Sequence, residues 1–199
     1  MKKHIIVGML LVFALFILSS CANDKGNYDN SAINNDIVQI KEFEVSTQLS
    51  ESNTMAKGTV YIRGDDNSVN VTVVAAVEIG KEDWGGVLFY IPEGWTISNV
   101  LSSYPEKSDL DAARNNVAIW ITADEESEWK SFIEIGRDRT YTPTGGGTGT
   151  VVLNLTCDEK IIKQESLKLL ISVGSEEKDG KYIVGIASSL IQIDMYTGN

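Results

Sequence analysis

A period-two alternation of apolar and polar residues recurs along this chain and constrains its fold more than any other feature. Between Val71 and Ile79 every second residue is apolar, whereas Thr72 and Glu78 occupy the other parity. Successive side chains of an extended strand point to opposite faces, so this pattern is typical of a strand with one buried face. Three shorter segments alternate in the same way, and we expect their apolar positions to face the core. These positions are Val87, Phe89 and Ile91; Val117, Ile119 and Ile121; and Val151, Leu153 and Leu155.

Six further segments complete the set of predicted strands. They are Ile37–Thr47, Ala56–Arg63, Trp95–Ser102, Trp129–Gly136, Leu167–Val173 and Lys181–Tyr196. Turn signals such as Lys178-Asp179-Gly180 separate the strands, and no long helical pattern intervenes. About eight to ten short strands of this kind predict an all-β fold, an antiparallel β-sandwich.

One turn carries a family resemblance. Ile91-Pro92-Glu93-Gly94-Trp95, continuing into Thr96–Val100, resembles the turn and strand of cohesin-like and related bacterial immunoglobulin-like sandwiches. Domains of that kind bind other proteins in extracellular assemblies. The resemblance therefore implies an immunoglobulin-like or cohesin-like sandwich and favours adhesion or scaffolding.

The first residues have the layout of an export signal. Lys2 and Lys3 precede an apolar segment, Ile5–Leu18, which is followed by small residues and then Cys21. The apolar segment is shorter than the roughly 20 residues that a membrane-spanning helix needs. Its length and flanks are instead those of a signal peptide.

The end of this signal points to lipidation. Leu18-Ser19-Ser20-Cys21 resembles the lipobox of bacterial lipoproteins. The resemblance implies that Leu18, Ser19 and Ser20 are recognised by the signal peptidase and that Cys21 carries a diacylglycerol. Two acyl chains on one residue are enough for stable anchoring. We therefore predict an extracytoplasmic protein whose membrane contact is the lipid at Cys21.

These observations divide the chain into three parts. Residues 1–20 are predicted to be the signal peptide, 21–36 a flexible tether, and 37–199 the β-sandwich domain. The tether segment is rich in Asn and Asp and has almost no apolar content, so it cannot pack a core.

Cleavage before Cys21 would also change the available chemistry. It would remove His4, the chain's single histidine, and leave Cys157 as the single cysteine besides Cys21. Histidine-dependent catalysis, histidine metal sites and an intrachain disulfide are then excluded. Loss of Lys2 and Lys3 would lower the net charge from −11 to −13. Such an acidic chain is a poor partner for nucleic acid, which requires Lys and Arg to replace counterions.

Three aromatic residues have the parity opposite to the core. Trp120 stands between Ile119 and Ile121, and Tyr90 stands between two apolar residues in the same way. Phe132 shares its parity with Lys130 and Glu134. Outward aromatic rings can stack on sugars or anchor a protein partner, but they can also form cross-strand pairs.

A fourth aromatic candidate is Trp84, which lies in a turn. Trp84 could contact a ligand at the loop tip or close the hairpin on the core.

Acidic residues suggest two other chemistries. The runs Asp65-Asp66-Asn67 and Asp109–Asp111 offer oxygen ligands for Ca²⁺, but solvated turns explain them better and we predict no metal site. Glu125, Glu126 and Glu128 offer carboxylates for glycoside hydrolysis, which requires two acids on opposite sides of one bond. Three neighbours in one loop do not show that geometry. We therefore predict neither catalytic residues nor a cofactor.

The sequence leaves three hypotheses for function. The first is a non-catalytic module for protein binding or scaffolding. The second is a carbohydrate-binding module that uses Tyr90, Trp120 and Phe132. The third, least supported, is a carboxylate-pair glycosidase.

Overall fold

In the computed structural model, the described residues (37–48, 53–64, 69–106, 116–157 and 166–194) form β-strands and turns without a helix. The strands are β1 (Ile37–Ser46), β2 (Met55–Gly64), β3 (Val69–Ile79), β4 (Val87–Pro92), β5 (Trp95–Ser102), β6 (Val117–Ile121), β7 (Trp129–Ile135), β8 (Gly147–Cys157), β9 (Ser166–Lys178) and β10 (Lys181–Asp194). The predicted signal peptide, lipobox and tether lie outside the described residues, as do the acidic runs Asp65–Asn67 and Asp109–Asp111.

The strands form two five-stranded sheets. Sheet I has the order β1-β2-β3-β8-β5, and sheet II has the order β10-β9-β4-β7-β6. Every pairing between neighbours is antiparallel. The prediction of an all-β antiparallel sandwich is confirmed.

The core lies between the two sheets, where the apolar parity of each strand is buried. In β3 the odd-numbered residues from Val69 to Ile79 are buried and the even-numbered ones are not. Phe89, Ile133 and Ile171 of sheet II belong to the same buried cluster. This arrangement follows from the period-two pattern, because only one face of each strand can be covered by the opposite sheet.

Strand β6 departs from the expected burial. Its residues Ile119 and Ile121 are 49% and 80% exposed, so the prediction that both belong to the core is wrong. Their parity matches that of the buried Ile133, which pairs directly with Ile119. However, β6 ends sheet II, and among the described strands its substantial packing is against β7. Parity fixes which face a residue occupies, but an edge position leaves that face uncovered.

Two turns show how local sequence directs the chain. Asp179 and Gly180 connect β9 to β10 with φ values of 53° and 71°. Positive φ at both central residues is the type I′ turn that suits a tight hairpin. Glu93 and Gly94 carry the chain from β4 in sheet II to β5 in sheet I, and Gly94 has a φ of 84°. Among the described residues, no helix is long and apolar enough to span a membrane.

Candidate functional site

A continuous row of large apolar side chains crosses the solvent side of sheet II. Leu190 of β10 pairs with Leu170, Leu170 with Tyr90, Tyr90 with Phe132, and Phe132 with Trp120 of β6. Neighbouring strands lie about 4.8 Å apart, so these pairs extend over roughly 19 Å. We call this set the outer-face row.

The outer-face row is open to solvent at both of its ends. Leu190 is 54% exposed and Trp120 is 43% exposed, whereas Leu170, Tyr90 and Phe132 are half-buried. Three of the four aromatic candidates from the sequence therefore lie side by side on the face opposite the core, as their parity predicts. The row is therefore accessible mainly at its two ends, while its three middle members are only partly exposed.

The aromatic rings of the row pack edge to face. The Tyr90 and Phe132 ring centroids are 5.3 Å apart with an interplanar angle of 81°. Trp129 adds a third ring, 6.0 Å from Tyr90 at 67°. A register shift after Ile91 brings Trp129 opposite Pro92. Because the rings are not coplanar, they do not form the flat platform on which a sugar ring stacks.

A buried carboxylate organises the β6 end of the row. Glu134 is 4% exposed and accepts a hydrogen bond from Trp120 Nε1 at 2.8 Å. Arg139 Nη2 donates to both carboxylate oxygens, at 2.9 and 3.0 Å, and Arg137 forms a short ion pair with Oε1. Glu134 thus fixes the indole and both guanidinium groups in one place.

The arginines give this end of the row a local positive charge. The Arg139 guanidinium lies 3.7 Å from the centroid of the Trp120 ring, which is a cation–π contact. Its side chain is 50% exposed, whereas that of Arg137 is 18% exposed. Two guanidinium groups face one carboxylate, so the cluster carries a net charge of +1 within a chain of net charge −11. The buried Nε atom of Arg137 has no hydrogen-bond partner among the described residues.

These side chains line a groove of about 360 Å³. We call it the aromatic–arginine groove. Its lining comprises Leu88, Tyr90, Trp120, Ile121, Thr122, Phe132, Glu134, Arg137, Arg139 and Val184.

Burial of the Tyr90 hydroxyl raises its pKa above the ordinary 10.0, and a hydrogen bond with Ser172 partly opposes this shift. Tyr90 is therefore neutral at physiological pH. A glycine permits this pairing: Gly185 has a φ of 71°, and a Cβ there would lie 2.9 Å from Ser172 Cβ. Gly185 occupies the irregularity in β10 between Val184 and Ala187.

Trp84 lies outside the groove, in a second aromatic cluster. It is 7% exposed and packs edge-on against Tyr141 and Tyr182, with ring centroids 5.0 and 5.8 Å away. Those two tyrosines stack at 4.0 Å with an interplanar angle of 4°. Both tyrosines therefore cover Trp84. They are themselves accessible, with exposures of 45% and 50%.

The acidic loop takes no part in the groove. Glu125, Glu126 and Glu128 are exposed, and none of them lines it. Glu128 instead pairs with Lys168 at 3.4 Å. Within the described ranges, no group of three or more His, Cys, Asp or Glu side chains is placed to hold a metal ion.

Several solved structures resemble this chain at low sequence identity. A structure of Fap1 fimbriae from Streptococcus parasanguinis, studied for pH-induced modulation of adhesion, is 9% identical with a TM-score of 0.34, covering 80% of this chain and 91% of its own. The collagen adhesin of Staphylococcus aureus is 10% identical with a TM-score of 0.28, at coverages of 73% and 64%. A collagen-binding domain from a Staphylococcus aureus adhesin is 12% identical with a TM-score of 0.29, at coverages of 75% and 95%. No protein-family model and no curated protein matches the chain. TM-scores this low give no basis for transferring a function.

Proposed function

We propose that this protein is a non-catalytic, lipid-anchored binding module that contacts a protein partner through the outer-face row and the aromatic–arginine groove. The observation that carries the proposal is the unbroken row of large apolar side chains on the solvent side of sheet II. A solvent-facing sheet surface of a monomer is ordinarily polar. Along this row it is apolar across five strands.

The composition of the site favours a protein over a polysaccharide. Trp, Tyr and Arg are the residues that most often contribute the binding energy of protein interfaces. Here Trp120 and Arg139 are held together by Glu134, so both are ordered before a partner arrives. Arg139 covers one face of Trp120, so at most the other face is open for a sugar ring to stack on. Tyr90 and Phe132 meet at 81° and share no plane.

The proposed location is the outer side of a bacterial membrane. It is supported by the lipobox-like Leu18–Cys21 and the polar segment that follows it. The net negative charge of the chain would repel anionic headgroups, so the acyl chains at Cys21 would be the contact with the bilayer. A polar tether of this length would let the sandwich reach partners near the surface.

A comparative pull-down from an envelope extract tests the proposed site. Trp120→Ala removes one end of the row and Leu190→Glu places a charge at the other. Leu101→Glu is the matched control, because Leu101 lies in sheet I and is 56% exposed, close to the 54% of Leu190. We expect quantitative mass spectrometry to find a protein that wild type and the control retain and that both row variants lose. Loss of a tryptophan that contributes strongly to an interface typically weakens binding by about 30-fold.

Two results would contradict the proposal. One is capture of the same proteins, in the same amounts, by all four forms. The other is retention of wild type on immobilised envelope polysaccharide that Trp120→Ala abolishes, which would make the site a carbohydrate-binding surface.

A further inference from the structure

Among the described strands, β6 is the edge of sheet II beside the aromatic–arginine groove. Its sequence is Val-Ala-Ile-Trp-Ile, with no charged residue and no proline. Sheet edges are usually protected by charges, proline or bulges, because their unpaired backbone groups accept another strand. Among the described strands, β6 pairs only with β7.

The hydrogen bonds that flank β6 show which of its backbone groups point away from β7. Gly136 N donates to Asn116 O at 2.8 Å before the strand, and Thr122 N donates to Lys130 O at 3.0 Å after it. Hydrogen-bonded and non-hydrogen-bonded pairs alternate along an antiparallel ladder. The even-numbered residues of β6 therefore bond to β7, and the odd-numbered ones direct their N–H and C=O away from it. These odd-numbered residues are Val117, Ile119 and Ile121.

The side chains of β6 are exposed on both faces. Ile119 and Ile121 are 49% and 80% exposed on the face toward the core, and Trp120 is 43% exposed on the opposite face. A strand added at this edge would cover apolar surface on both sides as well as pair the backbone. The position of β6 at the edge of the sheet therefore offers both apolar contact and backbone hydrogen bonds to an added strand.

We infer that an extended segment of the partner protein adds to sheet II as a strand along the free edge of β6. This inference rests on the proposed protein-binding function and names how the partner binds. The added residues opposite Ile119 and Ile121 would be apolar, because they lie beside those exposed side chains. The residue opposite Trp120 would carry a carboxylate, because it lies beside the half-exposed Arg139.

The charge of the site selects this occupant over a second copy of the chain. The two positive charges of Arg137 and Arg139 are only half balanced by Glu134, and the remaining positive charge attracts a carboxylate at short range. A second copy would instead bring a net charge of −11, or −13 after cleavage before Cys21, against an equal charge. Self-repulsion of that size opposes a dimer.

Peptides selected on the purified full-length protein in detergent test the inference. A random 12-residue display library supplies the probes, and fluorescence anisotropy of the labelled, selected peptides measures affinity. We expect selected peptides to alternate apolar residues with at least one Asp or Glu. We also expect the amide protons of Ile119 and Ile121 in wild type to become protected from hydrogen exchange when such a peptide binds.

Two substitutions at position 119 distinguish the contribution of the backbone N–H to peptide binding from that of the side chain. Ile119→Pro removes an outward N–H and leaves the β7 ladder intact, whereas Ile119→Ala removes the side chain and keeps the N–H. We expect Ile119→Pro to bind selected peptides about tenfold more weakly than Ile119→Ala does. The hydrogen-exchange result on wild type decides the matter if Ile119→Pro does not fold.

The outcomes distinguish the inference from the function on which it rests. Equal binding by both Ile119 variants, or no new protection at Ile119 and Ile121, would refute strand addition at β6. If Leu190→Glu still abolished binding in that case, the proposed function would stand without it. Enrichment of basic peptides, or no enrichment over an unrelated protein, would also refute the inference. So would a dimer of the protein alone that Ile119→Pro dissociates, since the occupant would then be a second copy.

Discussion

At the scale of single residues, Glu134 is the group on which the geometry of the groove depends. Its carboxylate holds Trp120, Arg137 and Arg139 together. Glu134→Ala would leave the Trp120 indole N–H and the largely buried Arg137 guanidinium without their acceptor, and the loss of an acceptor from a buried donor costs about 1–3 kcal/mol. We expect urea unfolding to show a loss of that size in the free energy of unfolding.

Glu128 supplies the matched control for this substitution. It is also paired to a cation, Lys168, but the two side chains are 56% and 47% exposed. Exposed pairs contribute less than about 1 kcal/mol. Equal losses for Glu134→Ala and Glu128→Ala would show that the buried carboxylate does not organise the groove.

Residue parity explains what the sequence could and could not reveal about the site. Tyr90, Trp120 and Phe132 stand out because each interrupts or opposes an apolar alternation. Leu170 stands between Leu169 and Ile171 in the same way, and Leu190 has the parity opposite to Ile191 and Ile193. They did not stand out because they are aliphatic, and only the strand pairing shows that they extend the aromatic row across β9 and β10.

The two arginines were missed for a different reason. Arg137 and Arg139 follow Gly136, which has a φ of 65° and ends the regular geometry of β7. Beyond such a turn, the alternation of the strand no longer predicts to which face of the sheet a side chain points. The one available signal was the shared parity of Glu134 with Phe132, which placed a carboxylate on the aromatic face.

At the scale of elements, the connection between β3 and β4 joins the two sheets through one buried carboxylate. Asp83 is 3% exposed and accepts hydrogen bonds from Thr54 Oγ1 at 2.6 Å, from Gly85 N at 2.9 Å and from the Ser175 hydroxyl. Thr54 directly precedes β2 of sheet I, and Ser175 belongs to β9 of sheet II. Asp83 therefore ties the sheets together at this end.

Removal of this carboxylate should destabilise the whole sandwich. Asp83→Ala leaves several buried donors without an acceptor, and each unsatisfied group costs about 1–3 kcal/mol. We expect a loss of about 3 kcal/mol, measured as a lower Tm by calorimetry. The neighbouring, exposed Glu82 is the control, because surface substitutions usually change stability by no more than about 0.5 kcal/mol. A Tm for Asp83→Ala equal to that of Glu82→Ala would contradict this role.

The strands themselves were largely predictable, because alternation and turn residues are local signals. The predicted bounds Trp95–Ser102 agree with β5, and the alternating positions Val117, Ile119 and Ile121 lie in β6. Strand β9 is longer than predicted and continues from Val173 to Lys178. Its last residues are polar and lack alternation, but pairing across the Asp179-Gly180 turn keeps them extended. Strand order depends on contacts distant in the chain, so no local pattern reveals it.

At the scale of the whole molecule, the net charge and the outer-face row have opposite effects on association between copies of the protein. The net negative charge of the chain keeps copies apart in solution, whereas an apolar row of this length promotes association. The two effects are compatible if the protein is anchored at a surface and binds a different protein there. A lipid at Cys21 would hold it in this way.

Replacement of the lipidated cysteine tests that arrangement. Cys21→Ala removes the thiol that the lipobox-like sequence presents, so no diacylglycerol can be attached. Because the apolar segment before it is too short to span a bilayer stably, we expect the exported protein to leave the membrane fraction or to remain uncleaved. Cys157→Ala is the control, since it removes the other thiol, in β8, and should stay processed and membrane-bound. Immunoblots of soluble and membrane fractions, with mass spectrometry of the N-terminus, distinguish these results. If Cys21→Ala were still cleaved and still sedimented with membranes, the anchor would have to lie elsewhere, and the outer-face row would be the first surface to examine for membrane contact.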